Sequence, residues 1–177
     1  MKILITGSSG FIGFHLTKLF LEKKHKVHGY DSMNNYYDVK LKKARLNILK
    51  KYHNFSFTKA NLENEKTLKK IFRKFKPKIV IHLAAQAGVR YSIDKPRVYL
   101  DSNIIGTYNV IEASHHLKVK HLIMASSSSV YGANKNVPFK EIDKTETQLS
   151  IYASTKKANE SMAHSYSNIW HIPITML

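Results

Sequence analysis

The sequence predicts an α/β fold, a doubly wound parallel sheet of six strands in the order 3-2-1-4-5-6. Two observations carry this. Short apolar runs alternate with longer segments of helical period along all 177 residues. A glycine-rich turn, Thr6-Gly7-Ser8-Ser9-Gly10-Phe11-Ile12-Gly13, lies where the first run meets the first helical segment. Strands separated by helices need right-handed crossovers, and these make the sheet parallel and buried on both faces.

The elements follow in order. Residues 2–6 are a short apolar run, read as a buried strand. Residues 11–23 place Ile12, Leu16, Leu19 and Phe20 on one helical face. Val27 to Tyr30 is a second strand. Residues 38–51 form a basic helix with Leu41, Ala44, Arg45 and Ile48 at helical spacing. Phe55 to Phe57 alternates as a third strand. A helix over 64–75 has Leu68, Ile71, Phe72 and Phe75 on its apolar side and stops before Pro77. Ile79 to Leu83 is the fourth strand. One long helix is expected over 96–117, with Pro96 in its first turn. His121 to Met124 is the fifth strand. A helix spans 150–167, and a sixth strand starts at Ile172. The polar stretch 132–149 reads as an ordered loop over the site. There is no internal repeat and no low-complexity linker, so residues 1–177 are expected to be one domain.

Composition narrows the function classes. The chain has no cysteine, so disulfide and thiolate chemistry are excluded. It begins on an apolar strand rather than a signal peptide, and no apolar run approaches the ~18–20 residues of a membrane span. A cytoplasmic protein without a membrane partner is expected. The formal charge of +17 is the outlying feature. It is mostly lysine, densest from Lys66 to Lys78, where the spacing suits a solvated helix face. No helix-turn-helix, RNP or zinc-finger pattern supports a nucleic-acid partner. The ten histidines are scattered without metal-ligand spacing, so no metal is expected, and His82 reads as a packed core residue.

The glycine turn suits a dinucleotide. Glycines let backbone approach a pyrophosphate, and the following helix offers free N–H groups and partial positive charge. Asp31 stands 18 residues after Gly13, near the ~20 expected of the acid that binds a ribose. Its carboxylate would accept both ribose hydroxyls and repel a 2′-phosphate, which favours NAD over NADP. Tyr152 and Lys156 stand one helical turn apart and face the same way. An ammonium beside a phenol favours the phenolate, giving a base for a sugar hydroxyl. Ser127, in the run Ser126 to Ser129, would sit beyond the end of strand five, where ligands bind in such sheets. Trp170 and the tyrosines read as anchors rather than substrate stackers.

On these residues the chain resembles the extended short-chain dehydrogenase/reductase family, whose NAD-binding unit is a Rossmann sheet. Thr6 to Gly13, His82-Leu83-Ala84-Ala85, the serine run before Val130-Tyr131-Gly132, and Tyr152 to Lys156 match in order and spacing. Asn35 to Lys42 with Ala44-Arg45-Leu46, and Ala87 to Ser92, look like the UDP-glucuronate 4-epimerases of surface polysaccharide synthesis. The resemblance implies a catalytic set of Ser127, Tyr152 and Lys156. It implies cofactor contacts from Gly7, Gly10, Phe11, Ile12, Gly13, Asp31, Asn61, Leu62, Ala84 and Ala85, together with Tyr152 and Lys156, while Asn103 falls where the family supports the site. Asn61 departs from the family pattern, in which an Asp often lies near the adenine. For substrate the resemblance implies Arg90, Ser127, Ser128, Ser129 and Tyr152.

The implied reaction withdraws hydride from C4 of a UDP-sugar and returns it to the other face of a 4-keto intermediate. Related dehydratases and decarboxylases tend to carry an acid at the position of Ser129, so epimerisation is the reading left. Family members run to about twice this length. A sugar-nucleotide-binding part is therefore expected to be missing, and the chain alone is expected to be inactive. A silent NAD-binding remnant or sensor, and a UDP-galactose 4-epimerase or related dehydratase, are the alternatives. A homodimer is compatible with the full-length form.

Overall fold

The computed structural model describes all residues 1–177. Six parallel strands form one sheet in the order β3-β2-β1-β4-β5-β6. The strands are β1 (Lys2–Thr6), β2 (Lys26–Asp31), β3 (Phe55–Lys59), β4 (Ile79–His82), β5 (His121–Met124) and β6 (Ile174–Met176). The doubly wound order expected from the strand–helix alternation is the order observed.

Helices α1 (Phe11–Glu22) and α2 (Val39–Leu49) cover one face. Ile3, Ile5 and Val27 of the sheet pack there with Phe14, Leu21 and Leu49. The other face is covered by α3 (Glu65–Phe75), α6 (Gly106–His116) and α7 (Ile151–Trp170). Its core joins Leu4, Val80 and Leu122 to Leu68, Phe72, Val110, Ile111 and Ala163. Helix starts are capped as local chemistry dictates: Asp38 accepts from the Lys40 N–H, Asn64 from Thr67 and Ser150 from Ala153.

The expected inward faces of two helices are corrected. In α1 the buried residues are Gly13, Phe14, Thr17 and Leu21, while Ile12 is 65% and Leu19 45% exposed. The rotation is set by the glycine turn, because Gly13 must lie against the Gly7 carbonyl and this points Ile12 outward. In α2 the buried residues are Lys42, Leu46 and Leu49, and Leu41 and Ile48 face solvent. Lys42 is drawn inward by Asn34, whose carbonyl and side-chain oxygens accept from its Nζ at 2.9 and 2.6 Å. The face of α3 is as expected.

The helix expected over 96–117 is also more complex. Two short helices, α4 (Tyr91–Asp94) and α5 (Pro96–Tyr99), lead into a π-turn over Leu100–Ile105 before α6 begins. The wider turn interrupts the period that reads as one helix in sequence and sets Asn103 in the interior. Strand six starts two residues later than expected, and Asp31 closes β2 rather than following it. A 3₁₀ turn over Ser128–Tyr131 was not foreseen.

His82 is buried at the end of β4, as expected of a core residue. The Thr6 hydroxyl accepts from the Leu83 and Ala84 N–H groups, both at 3.2 Å, and meets His82 Nδ1 at 2.7 Å. Its own proton therefore goes to Nδ1, which leaves Nε2–H to donate to Thr107 Oγ1 at 3.0 Å. Burial, and then the Lys156 charge, push the His82 pKa down to about 3. His28, between Ser56 and Thr58 on β3, is held down to about 4, first by burial and then by Lys74.

These two rings generate a pH dependence. The unfolded chain takes up their protons near pH 6.5, and the folded chain does so only near pH 4 and 3. Between these limits the folded state binds fewer protons, so stability falls as pH falls. Urea unfolding at pH 7 and pH 5 is expected to differ by about 4 kcal/mol. Equal stabilities at the two pH values would contradict the buried neutral state of both rings.

Candidate active site

The carboxyl ends of β1 and β4 part because their chains leave to opposite faces of the sheet, and a cleft of about 410 Å³ opens beside them. Of the residues the sequence singled out, Gly7, Gly10, Asp31, Asn61, Leu62, Ala84 and Ala85 line it. Gly7 has φ +72°, and a Cβ there would lie 2.9 Å from the Ala84 nitrogen. Phe11, Ile12 and Gly13 form the first turn of α1 beside the cleft. No side chain caps this helix, so their N–H groups are left for a ligand. The Phe11 and Ile12 side chains stand in solvent at its start.

Asp31 is 7% exposed and clamps the turn to the end of β2. Its Oδ2 accepts from the Ser9 N–H at 2.9 Å and its Oδ1 from the Met33 N–H at 2.8 Å. Each oxygen keeps lone-pair capacity for a further donor such as a hydroxyl. Lys42 also lines the cleft, 4.2 Å from the centroid of the Tyr37 ring. Burial lowers its pKa, and the Asp31 charge opposes that shift. Sequence reading had placed Lys42 only within a family-like segment. The signal for it was weak, since a lysine in a lysine-rich helix does not announce that it is buried. Asn61 is itself exposed, and its backbone carbonyl accepts from the Tyr30 hydroxyl at 2.9 Å.

Tyr152 and Lys156 lie in the first two turns of α7. Lys156 is buried and donates to the Ala125 carbonyl at 2.9 Å, just beyond β5. Burial pushes its pKa down to about 8, so it is still mostly protonated at neutral pH. Ser127 Oγ accepts from the Ser129 N–H at 3.2 Å and caps the 3₁₀ turn. No hydrogen bond joins Ser127, Tyr152 and Lys156 to one another. They share one end of the sheet, around the start of α7 and the segment after β5.

Ser128 is exposed and Ser129 half-buried on that segment. Arg90, expected at the substrate, is helical in conformation and exposed at the start of α4. No contact brings it to the serines.

The link between cleft and helix runs through three residues, Gln86, Asn103 and Thr155, of which only Asn103 stands out in the sequence. Asn103 Oδ1 accepts from the Gln86 N–H at 2.7 Å, and its Nδ2 donates to Gln86 O at 3.1 Å and to Thr155 Oγ1 at 3.2 Å. Thr155 in turn donates to the Tyr152 carbonyl at 2.8 Å. The Tyr99 ring packs edge-on to Tyr152 at 6.1 Å, and its hydroxyl donates to Ala87 O and Gly88 O. The arrangement can hold a dinucleotide at the glycine turn and a proton acceptor at Tyr152 at the same end of the sheet. Glycine turn, carboxylate, buried cation and uncapped helix start fit the charges and hydroxyls of NAD.

Comparison with known proteins agrees with this geometry. Residues 4–177 match the family described as GDP-mannose 4,6 dehydratase, and the chain belongs to that family. It is 54% identical over 177 residues to Protein CapI of Staphylococcus aureus, covering 100% of this chain and 53% of that one. It is 45% identical over 175 residues to a probable UDP-glucuronate 4-epimerase of Rhizobium meliloti, covering 99% and 51%. Among solved structures, UDP-glucuronic acid 4-epimerase from Bacillus cereus, in complex with UDP-glucuronic acid and NAD, superposes with a TM-score of 0.92 at 35% identity. That match covers 99% of this chain and 55% of that one. The chain spans about half the length of the relatives it matches.

The Asn103 link yields a stability prediction. Asn103→Ala leaves the Gln86 N–H and carbonyl without partners in the interior, at a cost of about 3 kcal/mol. The midpoint of urea unfolding should fall accordingly. An unchanged midpoint would mean that Asn103 does not tie the cleft to α7.

Proposed function

We propose that residues 1–177 are the NAD-binding domain of a 4-epimerase acting on a UDP-sugar, UDP-glucuronate in particular, and that they carry its general base. One observation supports this most. The glycine turn with Asp31, and the helix with Tyr152 and Lys156, open on the same end of the sheet and are joined through Gln86, Asn103 and Thr155. Similarity to an epimerase crystallised with UDP-glucuronic acid and NAD supports the choice of substrate and cofactor.

NAD, when bound, supplies the acceptor and then the donor of the C4 hydride. The remaining work falls to this chain. The first turn of α1 offers N–H groups to the pyrophosphate, and Asp31 accepts from the ribose hydroxyls. The Lys156 ammonium near Tyr152 favours the phenolate, which takes the proton from the 4-hydroxyl. Ser127 orients that hydroxyl. Ser128 and Ser129 offer donors to the glucuronate carboxylate, and Arg90 its countercharge. A neutral hydroxyl at Ser129 supplies no acid for elimination, so epimerisation is favoured over dehydration. The UDP handle would be held by the part of the relatives' length that this chain does not match. Without that handle, remote binding energy is not used at the reacting carbon.

Two outcomes test the reading. Calorimetry is expected to give tighter binding of NAD than of NADP, with the difference narrowed in Asp31→Ala. Equal affinities for the wild-type chain would remove Asp31 from the ribose. In a chimera joining residues 1–177 to the unmatched half of the Staphylococcus aureus relative, chromatography is expected to detect UDP-galacturonate made from UDP-glucuronate. Tyr152→Phe should lower that turnover at least about 100-fold while NAD stays bound. Near-normal turnover in the variant would place the base elsewhere.

A further inference from the structure

We propose that the face formed by the amino ends of the strands is an electrostatic docking surface for an anionic lipid bilayer. In a parallel sheet all strands start at the same end, and every helix returns there. In this chain those returns carry lysine. The turn between α1 and β2 supplies Lys23, Lys24 and Lys26, and the end of α2 supplies Lys50 and Lys51. Lys76 and Lys78 bracket Pro77 before β4, and Lys118 and Lys120 bracket Val119 before β5. All nine are exposed.

Register sets several of them side by side. Lys2 is the β-partner of Lys26, the Lys78 N–H donates to Lys2 O at 2.9 Å, and the Lys120 N–H donates to Lys78 O at 2.8 Å. Four lysines thus stand on four adjacent strands, a row about 14 Å long. Almost no acid answers them. Two carboxylates come near these turns and both are already engaged: Glu22 pairs with Lys18 at 2.7 Å, and Glu112 accepts from the Tyr166 hydroxyl at 2.6 Å and lies 3.3 Å from His116 Nε2. Asp31, Asp38, Glu63 and Glu65 lie at or just beyond the carboxyl ends of β2 and β3, so none of them stands beside this row. Neighbouring like charges at strand spacing repel, and a counter-surface of phosphates relieves them.

The shape and chemistry favour lipid over nucleic acid. The surface is made of short turns flush with one another, and no helix projects from it to enter a groove. All nine exposed cations are lysines on flexible stems, and the aromatics beside them are half-buried and engaged, Tyr52 with Glu22 and Phe75 under the Lys2 ammonium, so none stands free to stack a base. At the rim, where α7 ends, Ile169 is 57% and Trp170 46% exposed. An indole beside a row of lysines is the combination that seats a protein at a membrane interface. Docking this way leaves the cleft at the opposite end of the sheet open to water. No helix is long and apolar enough to cross a membrane, so the association is peripheral.

The test is sedimentation of the 177-residue chain with vesicles of phosphatidylcholine, with and without about one-third phosphatidylglycerol, at physiological salt. Trp170 is the sole tryptophan, so its emission reports on the rim directly. The chain is expected to bind the anionic vesicles alone, with a blue shift of that emission. At about fivefold per lysine, Lys26→Gln, Lys78→Gln and Lys120→Gln together should weaken binding about 100-fold. A control of equal net charge, Lys66→Gln, Lys135→Gln and Lys144→Gln, should weaken it less than about fivefold. Three results would overturn the proposal: no binding to the anionic vesicles, equal loss in both triple variants, or tighter retention by duplex DNA than by the vesicles.

Discussion

The parting of the chain at the carboxyl ends of β1 and β4 is the constraint on which the rest of this structure depends. Their pairing ends at Thr6 and His82, and the two strands then lead to opposite faces. Past that point the Leu83 N–H keeps only a long bond to Thr6 O at 3.3 Å, and the Ala84 N–H has no backbone partner. The Thr6 hydroxyl takes both, and His82 takes the proton that this hydroxyl then has to give. Thr107 on α6 closes the line on the far side of the ring.

From that opening the glycine turn and the helix that carries Tyr152 and Lys156 are positioned by different means. On the β1 side the means is steric. Gly13 lies against the Gly7 carbonyl, so close that a Cβ would sit 2.0 Å from its oxygen, and α1 must adopt the rotation that contact allows. On the β4 side the means is a chain of hydrogen bonds through Gln86, Asn103 and Thr155 to the backbone of Tyr152. The π-turn around Asn103 widens the helix where that side chain must reach inward. Burial of Lys156 follows, since its helix is held against the segment after β5 and its ammonium finds the Ala125 carbonyl there.

The same parallel topology that gathers the site at one end gathers lysine at the other. Charge that looks like a diffuse bias in sequence includes a row of adjacent lysines once each turn is placed at its end of the sheet. A sequence count sees +17; the fold decides that several of those charges share a row while four acids lie toward the cleft end.

What the sequence determined by itself was whatever is written in local pattern. The alternation of runs predicted the six strands, and the order 3-2-1-4-5-6 came with them. The glycine turn, Asp31, and the spacing of Tyr152 and Lys156 were legible because their chemistry is tied to short separations in the chain. Helix rotation was not legible in α1 and α2, because apolar spacing there offered a face that Gly13 and Lys42 overrule through contacts made outside the helix. Lys42, Gln86, Tyr99 and Thr155 were missed for a related reason. Each acts through a partner far along the chain or through backbone atoms, and neither leaves a mark in residue type. Only the tertiary structure decided which side chains close the cleft and which lysines stand side by side, because both depend on which segments the fold brings together.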